Sequence, residues 1–136
     1  MYPNVHGIVG TACAVATYSI TNDYFSSAFV AFLSHDVMDR LGESHYPKLL
    51  YYEAVFFAIF CFVAWKSDQT LLYFIGWFGG NLMDFIDKKG GLSIYNNAKY
   101  PYGTFFPCHR RQPNFNLTAL QTKIIAYLAT LILITI

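Results

Sequence analysis

Two histidines and a set of aspartates raise the first chemical question. Ser34-His35-Asp36-Val37-Met38-Asp39-Arg40 closes an apolar stretch at 28–33, and His45 follows it. On a helix, positions i and i+4 share a face, so His35 and Asp39 point the same way. Asp36 lies about 100° from His35 by the helical period, within reach of a neighbouring site. An imidazole and a carboxylate on one face, at the mouth of an apolar segment, supply half the donors of a metal site.

The elements that must position them are five apolar runs, at 5–20, 24–38, 49–65, 70–86 and 117–136. Thr21-Asn22-Asp23 separates the first two, and Lys66-Ser67-Asp68-Gln69 makes a short polar turn between the third and fourth. The first run is rich in Gly, Ala and Thr, small residues that let helices approach closely. A long polar stretch at 88–116 precedes the last run. Hydrophobic residues make up 55% of the 136-residue chain and charged residues 12%, against about 25% charged in a soluble domain. The expected fold is a single all-α domain, 1–136: a polytopic transmembrane bundle of four to five short helices. The runs are about 15 to 20 residues long, the short end for a hydrocarbon core of about 30 Å, and a bilayer accommodates short spans by thinning. A soluble buried bundle is the competing architecture, but so few charges leave little polar surface for it. Three cysteines without short spacing give no disulfide framework. Cys13 and Cys61 read as small apolar residues, and Cys108 stands beside His109. No Lys or Arg precedes the first run, which argues against a cleaved signal peptide. A net charge of +1 says nothing about nucleic acid, and no direct nucleic-acid binding is expected.

If all five runs span, parity puts the N-terminus, 36–48 and 87–116 on one side. That side carries Arg40, Lys48, Lys88, Lys89, Lys99, Arg110 and Arg111, and the other only Lys66. The positive-inside tendency makes the richer side cytoplasmic. The same parity gathers His6, His35, His45, His109, Asp36, Asp39, Asp84 and Asp87 there. Each has an ordinary reading. His6 could cap a helix, His35 and Asp39 could pair on a helix surface, and Asp84 and Asp87 could end a helix near water. His45 and His109 could be solvated loop residues. Ionisable groups at a membrane edge are costly, however, and are functional candidates by default. Their joint placement favours a metal site.

Imidazoles and carboxylates without paired thiolates suit zinc, manganese or iron. More than four donors would serve two metals, or one metal with carboxylates that orient its histidines. Such a site acidifies bound water into a nucleophile, and two metals stabilise in-line displacement at phosphorus. Asp36 or Asp87 could act as general base or orienting group. Arg110 and Arg111, with Lys88 and Lys89, could hold a phosphate, although topology and anionic-lipid attraction also account for them. There is no GxGxxG, P-loop, GxSxG or HExxH pattern, so nucleotide-driven transport and serine hydrolysis have no residues to act through.

The pattern resembles the small bacterial and archaeal membrane-bound proteins known as metal-dependent hydrolases, the group that includes the LexA-binding inner-membrane protein. The matching pieces are Val5-His6-Gly7, Leu33-Ser34-His35-Asp36-Val37-Met38-Asp39, His45-Tyr46-Pro47, Gly80-Asn81-Leu82-Met83-Asp84 and Pro107-Cys108-His109-Arg110. Met83 stands where that family often has proline. Arg110-Arg111-Gln112 follows His109 where the family usually has a second histidine. The resemblance implies a membrane-embedded bundle with a divalent metal, zinc first and manganese second. It implies His6, His35, Asp39, Asp84 and His109 as ligands, with His45 beside them. The expected function is hydrolysis of a phosphoester or lipid-linked substrate, with membrane lipids as partners and an oligomer allowed. The alternative is a non-catalytic interaction or regulatory module with a structural metal. Transport ranks third, because no polar path reaches the second side.

Overall fold

The structure, a computed structural model, describes residues 3–41, 50–87, 106 and 119–135. Within them the chain forms five α-helices and no strand: α1 (Pro3–Thr21), α2 (Tyr24–Leu41), α3 (Leu50–Lys66), α4 (Thr70–Asp87) and α5 (Ala119–Thr135). The helices follow the five apolar runs to within about three residues, the margin expected for helix ends.

The breaks are set by local chemistry. Asn22 takes a left-handed backbone, φ 52°, which asparagine tolerates better than most residues. Its N–H donates to the Tyr18 carbonyl at 2.8 Å and closes α1. Asp23 then caps α2. Its carboxylate accepts the backbone N–H of Phe25 at 3.3 Å and of Ser26 at 2.7 Å, two donors that a helix start leaves open. Between α3 and α4, the Thr70 hydroxyl donates back to the Ala64 carbonyl at 2.7 Å.

α1, α2 and α4 form the centre of the bundle, with α5 against α1 and α3 more loosely against α4 and α1. The α1–α4 seam is closed by glycine. A Cβ on Gly10 would meet the Gly76 carbonyl and the Gly80 Cα, and one on Gly76 would run into the Thr11 Cα. Thr11, fully buried, shares its hydroxyl proton between the Gly7 carbonyl (2.8 Å) and the Tyr73 carbonyl (3.1 Å). It therefore fastens the two helices beside the glycine contacts. The apolar core continues through Ala14, Val15, Ala31, Phe60, Ala64, Leu72, Tyr73 and Trp77. The Tyr73 hydroxyl reaches the Leu133 carbonyl at 3.2 Å and ties α5 to α4.

The helices are 17 to 19 residues long. Among the described residues none is long and apolar enough to cross a membrane. The expected short helices are therefore present, but none is shown to span. At 1.5 Å per residue they measure about 26–29 Å, and α2 spends its last turns on His35, Asp36, Asp39 and Arg40.

Candidate metal centre

α1 starts, and α2 and α4 finish, at one end of the bundle. There the sequence places His6 on α1, His35 and Asp39 on α2, and Asp84 on α4. The helices bring donor atoms of His6, His35 and Asp39 within reach of one ion and set Asp84 beside His35. His6 and His35 are buried, and their rings stack at 4.2 Å between centroids, 27° apart in plane. Asp39 lies below both, one oxygen toward each: Oδ1 is 3.9 Å from His6 Nε2 and Oδ2 is 3.3 Å from His35 Nε2. Asp84 Oδ1 approaches the same His35 Nε2 at 3.6 Å. The imidazoles have no exposed side-chain surface, while Asp39 and Asp84 retain 11% and 16%. The cluster is closed on its histidine side and meets solvent through its carboxylates.

The orientation of His35 follows from its other nitrogen. Nδ1 lies 2.7 Å from the Gly80 carbonyl oxygen. A carbonyl only accepts, so Nδ1 carries the proton. In the neutral ring Nε2 then holds a lone pair, aimed at two carboxylates. Two carboxylates facing that nitrogen favour a cation there, a proton on Nε2 or a metal ion. Histidine ligands usually donate their second N–H to a carbonyl or carboxylate in this way, which fixes tautomer and ring angle.

The spacing also fits a metal. One donor atom each from His6, His35 and Asp39 can be chosen so that all lie within 4.8 Å of one another. Donors 2.0–2.2 Å from a tetrahedral zinc sit about 3.3–3.6 Å apart. The His35–Asp39 and His35–Asp84 separations fall in that interval, and the His6–Asp39 separation is slightly longer.

Asp36 is not part of this cluster. Its Oδ2 accepts the Arg40 Nε–H at 2.7 Å, an i,i+4 pair on the exposed side of α2. Asp87 closes α4, but its side chain lies outside the described residues. So do His45, His109, Arg110 and Arg111, together with the polar stretch at 88–116 apart from Phe106. Sequence reasoning missed Gly80. Its signal was available as Gly76 and Gly80 at i,i+4 on an otherwise apolar helix, a small-residue spacing that permits close backbone approach.

Compared with protein families, with curated proteins and with solved structures, the chain matches none.

Proposed function

We propose that the chain is a membrane-embedded, metal-dependent hydrolase that cleaves a phosphoester or lipid-linked substrate. The observation that carries this is the aim of His35: Nδ1 is held by the Gly80 carbonyl, and Nε2 faces Asp39 and Asp84 beside the stacked His6. His6, His35, Asp39 and Asp84 would hold one divalent ion, zinc by donor type, with manganese as the second choice. When bound, the ion would acidify water and polarise a phosphoryl oxygen. Asp39 and Asp84 border the open side, so a substrate would approach past them. Buried His6 and His35 would keep water from the rear of the site. The resemblance to the membrane-bound metal-dependent hydrolases supports the same reading.

Support for the membrane comes from what the bundle leaves uncovered. Phe25, Phe29, Leu33 and Val37 form a row on α2, and Val55, Phe56, Ile59, Phe62 and Val63 stand exposed on α3. Ile124, Leu128, Leu131 and Ile132 do so on α5. Apolar surface exposed on several helices of a small chain suits lipid as solvent. Helices of this length would thin the bilayer locally. The charge asymmetry of the sequence supports a cytoplasmic position for the metal end.

A second reading has its own support. Four protein donors around one ion make a closed, structural site, whereas catalytic zinc keeps a position open. A regulatory or interaction module with such a metal would bind the ion and hydrolyse nothing.

Metal content of the detergent-purified protein tests the proposal. Stoichiometric zinc or manganese is expected, lost in His35→Ala and in Asp84→Ala. If both variants keep full metal, the centre is wrongly assigned. Turnover of phosphodiester and phospholipid substrates by the loaded protein then separates hydrolase from module.

A further inference from the structure

Resting on that metal reading, we infer that Gly80 is a positioning residue that references both imidazoles to one point of the α4 backbone. Two independent contacts meet there. A Cβ on Gly80 would run into the His6 carbonyl oxygen and lie 3.1 Å from the His6 carbonyl carbon and the Gly10 Cα. All three are backbone atoms, so no side-chain rotation relieves the collision. α1 would have to move away at the level of His6. The Gly80 carbonyl also takes the His35 Nδ1–H. One residue therefore sets the approach of α1, which carries His6, and the ring angle of His35 on α2.

The helical repeat extends this arrangement. Gly80 and Asp84 are i,i+4 on α4 and share a face. α4 brackets the His35 ring from both ends, with the Gly80 carbonyl at Nδ1 and the Asp84 carboxylate 3.6 Å from Nε2. The stacking of His6 on His35 depends on both helices keeping their distance from this stretch. The neighbouring glycines lack such a link. Gly76 packs against Thr11, Ala14 and Gly10, and Gly79 against Ala31 and Ala28 of α2. Gly76→Ala therefore disturbs the same α1–α4 seam one turn away from the donors.

The test uses Co(II) as the probe, titrated into the full chain in detergent and read by its visible absorption. The wild type is expected to bind one ion. Gly80→Ala, which keeps the carbonyl but forces α1 away from it, is expected to weaken binding about 10- to 100-fold, the usual cost of disturbing a group that orients a ligand, and to change the band positions. Gly76→Ala is expected to lower thermal stability but keep wild-type affinity and bands. Wild-type affinity and bands in Gly80→Ala would overturn the inference and leave the metal centre standing. So would equal loss in the two variants, which would mark the glycines as packing residues only. No Co(II) binding by the wild type would remove the metal centre and this inference together. A measurement on the zinc-loaded wild type guards against a variant that does not fold. Histidine ¹⁵N spectra should show His35 protonated at Nδ1 and not at Nε2, and the opposite tautomer would refute the role of Gly80.

Discussion

At the scale of residues, the two aspartates nearest His35 in sequence have opposite fates. Asp39 turns one oxygen toward each imidazole, while Asp36 pairs with Arg40. The spacing i,i+4 fits both pairs, so spacing alone does not say which carboxylate serves the site. Burial decides it: the His35–Asp39 pair is covered and the Asp36–Arg40 pair is half-exposed. An exposed pair of this kind contributes about 0.2–1 kcal/mol. Asp36→Asn is accordingly expected to leave metal content and melting temperature close to wild type. Asp39→Asn removes a charged donor from between two histidines and is expected to abolish stoichiometric metal. Side-by-side metal analysis of the two variants checks this, and loss of metal in Asp36→Asn would reassign the centre.

At the scale of elements, the helices were legible because their ends carry side chains with one clear use. Thr21-Asn22-Asp23 reads as a break, and the structure makes Asn22 the left-handed terminator of α1 and Asp23 the cap of α2. A β-branched residue at a positive φ is strained, so Asn22→Val should destabilise the fold by roughly 1–2 kcal/mol, whereas Asn22→Gly should match or exceed wild type in thermal melts. Asp23 adds a pH signature. Hydrogen bonds from the Ser26 hydroxyl, then from the Ser26 and Phe25 backbone N–H groups, hold its carboxyl below the ordinary range. Its contribution is complete above the unfolded value of about 3.9 and is lost as pH falls through the lower folded value. Asn caps a helix without titrating. Asp23→Asn should therefore lose less melting temperature than wild type between pH 7 and pH 3. What the sequence did not disclose is the packing between elements. His35 and Asp39 were visible as one face, and chain parity brought His6 and Asp84 to the same end. The contact that orients His35 is a backbone carbonyl, Gly80, and a carbonyl leaves no mark on residue type. Only the glycine spacing hints at it, through the close approach it allows.

At the scale of the whole molecule, the question is what solvent surrounds the bundle. Composition pointed to lipid, and the helices are short for a bilayer. The outward face of each outer helix supplies a direct test, because a cation there has opposite consequences in the two solvents. Ile59 sits near the middle of α3 and Leu128 near the middle of α5, 53% and 56% exposed. If water covers them, Ile59→Lys and Leu128→Lys change stability by no more than about 0.5 kcal/mol and improve solubility. If lipid covers them, each lysine at a helix centre costs about 2.5–3.5 kcal/mol, enough to deplete the folded, membrane-bound population by more than tenfold. We expect the second outcome. Both variants should leave the membrane fraction, whereas Lys substituted for Ile20, exposed at the last turn of α1, should remain in it because its ammonium can reach the headgroups. Soluble, monomeric Ile59→Lys and Leu128→Lys proteins with intact helical signal would refute the lipid environment while leaving the His6–His35–Asp39–Asp84 cluster untouched, since neither substitution is near that end of the bundle.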